Sequence, residues 1–261
     1  MTDIDLETVK CEVVEDHIAL VRLDNPPVNA HSAQMLADIP AMFDQLSELD
    51  HIRAAVLTGQ GTVFCAGADL RARASGGHKP GEHWQTSRAA REAYHSIREC
   101  LKPVVAAVNG AALGGGLAIA ASCDILISSE LGNLGLPEID VGLMGGQRHA
   151  MRLFSHSRLR MMALTGQRVF GPELYRIGVV EACVPPGELL SAALTIARSL
   201  AAKSPVAMRI AKGSLNTIEE MSLRDGYRHE QNLTGQLRQT EDSREAMRAF
   251  LEKRPPVFKG R

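Results

Sequence analysis

Phe64-Cys65-Ala66-Gly67-Ala68-Asp69-Leu70 and Asn109-Gly110-Ala111-Ala112-Leu113-Gly114-Gly115-Gly116 are the stretches that decide how this chain folds. The first follows Ala54-Ala55-Val56-Leu57-Thr58, and the second follows Val104-Val105-Ala106-Ala107-Val108. Both preceding runs are apolar and rich in β-branched residues, the pattern of a buried strand. Each glycine stretch then leads into residues suited to a helix. A strand that ends in glycine and opens a helix leaves unpaired N–H groups at the positive end of the helix dipole. Such a turn is an anion site, and two of them can converge on one oxygen. Taken singly, each is also an ordinary tight turn of an α/β protein.

Working outward, two alternating strands are expected near 7–14 and 17–23, joined by a turn at Asp16. A helix should run from about Ser32, its N-cap, to Leu49, with Met35, Leu36, Ile39, Met42, Phe43 and Leu46 on one face. The stretch 71–82 has no period and suggests a loop, and 84–101 suggests a helix. Short strands are expected at 125–128 and near Leu134, short helices from 145 to 178, and a last strand over 179–184. After the break at Pro185-Pro186-Gly187 everything is helical: about 188–202, 205–218, 222–238 and 242–252. Strands alternating with helices predict an α/β fold with parallel pairing and right-handed crossovers.

With 261 residues the chain can bury a large core. Its 29 Lys and Arg balance 30 Asp and Glu, so charge recruits neither nucleic acid nor an anionic membrane surface. No apolar run reaches the ~20 residues that span a bilayer, and the acidic start lacks a secretion pattern. Cys11, Cys65, Cys100, Cys123 and Cys183 have apolar neighbours and no paired spacing, which predicts reduced core thiols, a cytoplasmic protein and no metal site. Cys65 has no base near it in sequence and is expected to be filler rather than a nucleophile.

Together, the two glycine stretches resemble the oxyanion hole of the crotonase superfamily, the enoyl-CoA hydratase/isomerase family. The resemblance covers nearly the whole chain. Asn25-Pro26-Pro27-Val28-Asn29-Ala30 resembles the family's early CoA-binding turn, Leu136 to Leu143 its acidic catalytic segment, and Phe250 to Arg261 its C-terminus. It implies an α/β spiral of ββα turns over 1–186, carrying the CoA and acyl site, and a helical C-terminal trimerisation region over 187–261. It further implies an acyl-CoA thioester substrate and a homotrimer or hexamer. No separate cofactor is expected, since the substrate carries the coenzyme A.

By resemblance, the N–H groups of Ala68 and Gly115 stabilise the oxyanion of a thioester enolate. Val28, Ala30, the Ala66–Leu70 backbone with Asp69, and Gly114 line the substrate slot; Asp69 is otherwise a helix cap. Arg22 or Arg71 could meet the phosphates, as could Lys259 from a neighbouring subunit. Glu138 is the expected working carboxylate. Asp140 would share its face if the segment were extended. The family's hydratases carry a second glutamate two residues past the glycine triplet, where this chain has Ala118. Its dienoyl isomerases need a further acid at a position matching Gly146. One-carboxylate chemistry is therefore favoured: double-bond isomerisation, or cleavage of a cyclic β-keto acyl-CoA. His149, in the run from Gly145, is either another polar group near the acyl chain or a helix-end histidine.

Other classes fit less well. The spacing from Gly110 to Gly116 is not G-x-G-x-x-G, which argues against a dinucleotide oxidoreductase. A non-catalytic or RNA-binding relative would call for a basic stripe, and no Lys/Arg run is long enough.

Overall fold

The computed structural model describes residues 3–69 and 79–261. The chain opens with β1 (Ile4–Asp5), β2 (Val9–Glu15), β3 (Ile18–Leu23), α1 (Ala33–Glu48) and β4 (Ala54–Gly59). There follow α2 (Glu82–Glu99), β5 (Val104–Val108), β6 (Ala111–Leu113), α3 (Gly115–Ser122), β7 (Ile125–Ser129) and β8 (Asn133–Gly135). A 3₁₀ turn at Pro137–Val141 precedes α4 (Gln147–Ala150), α5 (His156–Thr165), β9 (Arg168–Phe170), α6 (Gly171–Arg176) and β10 (Cys183–Val184). The last part is helical: α7 (Leu189–Ala201), α8 (Pro205–Ile218), α9 (Leu223–Leu237) and α10 (Glu241–Glu252).

The main sheet has the order β1-β2-β3-β4-β5-β7-β10. Its first three strands pair antiparallel and the rest pair parallel. Alternate side chains of the parallel strands enter two different cores, as the two-residue period of a strand demands. Ala19, Val21, Ala55, Leu57, Val104, Ala106 and Val108 face α1, α2 and α3. Ile18, Leu20, Ala54, Val56, Val105 and Ala107 face α7, where they meet Leu189, Ala193 and Ala197. Burial on both faces is why these strands are continuous apolar runs in sequence.

A smaller sheet, β6-β8-β9, runs beside the first. Single bridges extend it, Cys65 to Ala112 and His31 to Ala68. Each turn of the chain thus leaves one strand in the large sheet and one rung in the small one. This is the expected α/β spiral, and it stacks the 28–31, 65–68 and 111–115 segments side by side.

Several elements differ from expectation. Ser32 does cap α1, its Oγ accepting the Met35 N–H at 3.0 Å, and α1 continues through Pro40. Strands β6 and β9 replace parts of a loop and of a helical stretch; each is only three residues long and is defined by pairing, which local sequence does not display. The expected strand over 179–184 shrinks to Cys183–Val184, because the Val179 N–H turns back to Leu174 O. Most of the expected 71–82 loop, with Leu70 and Arg71, lies outside the described residues.

The C-terminal tail folds back onto the helices. Buried Asp242 accepts hydrogen bonds from Ser204 Oγ at 2.8 Å and the Lys259 N–H at 2.7 Å. Among the described residues, no helix is long and apolar enough to cross a membrane.

The spiral depends on close backbone contact between successive turns. A Cβ on Gly116 would fall 2.1 Å from the Cys65 carbonyl oxygen, whereas one on Gly213 in α8 meets nothing within 4 Å. Gly116→Ala is expected to lower the urea unfolding free energy by roughly 1–3 kcal/mol. Gly213→Ala should be neutral or raise it by up to about 1 kcal/mol.

Candidate active site

Two asparagines assemble the site. Asn29, buried at φ 52°, donates its side-chain N–H groups to Gln60 O at 3.0 Å and Val63 O at 2.8 Å, while its Oδ1 accepts the Asn25 N–H at 3.0 Å. Asparagine tolerates this left-handed backbone better than most residues. Asn109 similarly donates to Gly59 O and Gly61 O and accepts from the Gly59 N–H. Asn29 thus ties the early turn to the stretch after β4, and Asn109, just past β5, ties that same stretch to the end of β4.

The early turn then lies along the first glycine stretch. The Ala66 N–H donates to Val28 O at 3.1 Å, and the His31 N–H to Gly67 O at 2.7 Å. In the His31–Ala68 bridge the flanking Gly67 and Asp69 groups make the hydrogen bonds, so the Ala68 N–H points to the other side. Gly115 is the first residue of α3, and the first intrahelical bond runs from the Ala118 N–H to Gly114 O. The Gly115 N–H is thus one of the donors that a helix leaves unsatisfied within itself. The two loops adjoin: a Cβ on Gly67, at φ 87°, would lie 3.4 Å from Gly115 N and 2.6 Å from Leu113 O. The expected pair, Ala68 and Gly115, is brought to one place.

Glu138 comes to the same place. A Cβ on Gly114 would sit 2.0 Å from Glu138 Oε1, and one on Gly145 would sit 3.4 Å from it. Only a residue without a side chain, at φ 53°, lets the carboxylate rest against this turn. The segment is a 3₁₀ turn rather than extended, so residues two apart diverge. Asp140 accordingly departs from the face of Glu138 and lies over Gly166, where a Cβ would meet its Oδ2 at 2.7 Å.

Two further polar side chains stand at Gly115, and neither was expected there. A Cβ on Gly115 would fall 2.2 Å from His31 Cε1 and 2.7 Å from Tyr94 Oη. Tyr94 Oη lies 3.4 Å from His31 Nδ1. His149 packs edge-on against the Tyr94 ring at 5.1 Å between centroids. The one signal in sequence was a histidine directly after the Asn25–Ala30 turn, within the spiral's apolar interior. Tyr94, in the middle of α2, carried no motif. Burial, then the positive fields of His95, Arg152, Arg148 and Arg98, pushes the His149 pKa down from 6.5 to about 4.

The other expected residues are placed as follows. Val28 is exposed and Ala30 and Ala66 are half-buried on the early turn and first glycine stretch. The residues that follow Asp69 and would test its reading as a helix cap, 70–78, lie outside the described residues, Leu70 among them. Lys259 lies on the irregular C-terminal tail, its Nζ 3.7 Å from Glu241. Arg22 pairs with Glu12 on the neighbouring strand. Cys65 is wholly buried, and burial pushes its thiol up to about 12, which leaves it without nucleophilic character at neutral pH. Among the described residues, no three His, Cys, Asp or Glu side chains gather as metal donors would.

A family model described as enoyl-CoA hydratase/isomerase matches residues 14–261. The chain is 37% identical over 265 residues to the YngF protein of Bacillus subtilis, covering 100% of both chains. It is 32% identical to the short-chain-enoyl-CoA hydratase of Clostridium acetobutylicum, covering 92% of this chain and 93% of that one. The crystal structure of an enoyl-CoA hydratase from Bacillus anthracis superposes with a TM-score of 0.92 at 31% identity, covering 98% of this chain and 100% of that one.

The depressed His149 pKa has a consequence for stability. An unfolded chain protonates this imidazole near 6.5, the folded chain only near 4. Between those values the unfolded state binds more protons, so this contribution is full above 6.5 and is lost as pH falls toward 4. Urea unfolding across that range should show a shallower loss of stability with acid in His149→Gln than in the wild type.

Proposed function

The chain belongs to the enoyl-CoA hydratase/isomerase family, and on that premise we propose that it transforms an acyl-CoA thioester through an enolate. The Ala68 and Gly115 N–H groups receive the thioester oxygen, and Glu138 moves the proton on the neighbouring carbon. The meeting of both glycine loops with the Glu138 carboxylate is the observation that carries this reading. A thioester carbonyl acidifies its α-hydrogens, and two preorganised donors stabilise the charge that appears on oxygen when one leaves; losing one such donor costs ~10²–10³ in rate. The start of α3 adds its dipole to the same oxygen. Val28, Ala30, Ala66, Asp69 and Gly114 border the slot for the thioester, and Lys259 serves the phosphates of coenzyme A from a neighbouring subunit.

The reaction follows from how many carboxylates are at hand. Ala118 is wholly buried in α3 and offers no acid one turn after Gly115. Asp140 turns toward Gly166 instead. One-carboxylate chemistry is left: shifting a double bond of an enoyl-CoA, or cleaving the ring of a cyclic β-keto acyl-CoA. The protein is also proposed to be a homotrimer or hexamer, since Leu215, Leu223, Tyr227, Met247, Phe250 and Leu251 expose large apolar area on the helical region.

Three measurements test this. Acetoacetyl-CoA at millimolar concentration should raise the melting temperature of wild type and Glu138→Gln alike, because binding rests on backbone contacts; no shift in either would sink the reading. In a panel of enoyl-CoAs varied in chain length and ring structure, Glu138→Gln should lower kcat by ~10²–10⁴ with KM little changed. Light scattering should give a mass three or six times that of one chain, with Phe250→Glu reducing it; a monomeric wild type would refute the assembly.

A further inference from the structure

Gly114 and Gly115 are consecutive, yet the side-chain directions they leave empty are filled from different elements. Gly114 faces the Glu138 carboxylate; Gly115 faces Tyr94 and His31. Gly114, at φ 53° and ψ −111°, precedes the helix that begins at Gly115, and the two open directions point to different groups, so carboxylate and phenol approach the oxyanion turn from different sides. Ala118 is three residues beyond Gly115 and shares its face of α3. That is the face toward which α2 brings Tyr94. Where a second glutamate would rise from α3, this chain has a methyl group on the helix and a phenol reaching in from outside.

We propose that Tyr94 is a second catalytic group, the acid that returns a proton to the enolate, and that His31 is the positioning residue that holds its hydroxyl. The inference rests on the enolate reading above. For a 3-butenoyl thioester the step balances as follows. The Cα–H bond breaks, its proton goes to the Glu138 carboxylate, and its electron pair spreads into a dienolate whose oxygen lies at Ala68 and Gly115. A C–H bond then forms at Cγ with the phenolic proton of Tyr94, and the double bond ends between Cα and Cβ. The Tyr94 phenolate regains, through solvent, the proton that Glu138 carries. His31 Nδ1, 3.4 Å from Tyr94 Oη, favours the transient phenolate when it donates, and such catalytic hydrogen bonds commonly tighten once substrate is bound. His149, stacked edge-on, fixes the other side of the ring.

The test separates removal of a proton from its delivery. In deuterium oxide, exchange of the α-hydrogens of butyryl-CoA, followed by NMR, requires Glu138 alone. Conversion of 3-butenoyl-CoA to crotonyl-CoA requires Glu138 and Tyr94. Tyr94→Phe should keep exchange within a few-fold of wild type and lose conversion by about 10²-fold, while Glu138→Gln loses both. His31→Asn, whose amide can stand in for Nδ1, should keep more conversion than His31→Ala at equal exchange. Full conversion by Tyr94→Phe would overturn the proposal, and so would equal loss of exchange and conversion, which marks a structural role. A wild type that exchanges but does not convert would overturn it too and leave the enolate reading standing. A wild type that does neither would remove the enolate reading itself.

Discussion

The structure depends on one close approach, that of the start of α3 to the backbone of the 65–68 turn. Gly116 lies against the Cys65 carbonyl, Gly115 against His31 and Tyr94, and Gly114 against Glu138. No residue with a side chain could occupy any of these positions without moving a neighbour. The contact links two consecutive turns of the spiral, and the Cys65–Ala112 bridge continues it into the small sheet. A triplet of glycines is costly in chain entropy, and here it is offset by apolar burial around it. Leu117, Ala118, Ile119 and Ala120 are wholly buried immediately downstream.

That burial needs a rigid floor, which the parallel strands provide by facing two cores at once. The helix α7 closes the second face with small residues, Ala193 and Ala197, that let it lie close on Val56, Val105 and Ala107. With both faces covered, the carboxyl ends of β4 and β5 cannot shift independently. Asn29 and Asn109 then convert that rigidity into fixed glycine turns, because each bonds several backbone groups at once. Donors aimed in advance need no reorganisation as charge develops, which is the source of their effect on rate.

How much was legible follows from which interactions are local. The strands at 54–59 and 104–108, the Ser32 cap and the helical C-terminus carry their signals within a few residues, through periodicity, branching and capping. The glycine pair and Glu138 became legible through family pattern, since backbone donors leave no side-chain signature. β6 and β9 escaped because three-residue strands exist only by pairing with β8. The reading of Asp140 depended on an extended segment, and Pro137 at the start of a 3₁₀ turn directed it elsewhere. His31 and Tyr94 are 63 residues apart, and only the spiral's stacking of the early turn, α2 and α3 makes them neighbours.

The polar groups around the glycine turns also differ in what they can carry. Cys65 is held as a thiol and His149 as a neutral imidazole, both by burial. Arg22 and Lys259 have carboxylate partners elsewhere in the fold. On the proposed reading, charge that develops on a thioester oxygen is met by backbone N–H groups and the start of α3. A partly dry surround strengthens such dipoles, since less solvent competes for the oxyanion. It equally raises the cost of leaving a carbanion without its proton, which makes the group that delivers that proton as consequential as the carboxylate that removes it.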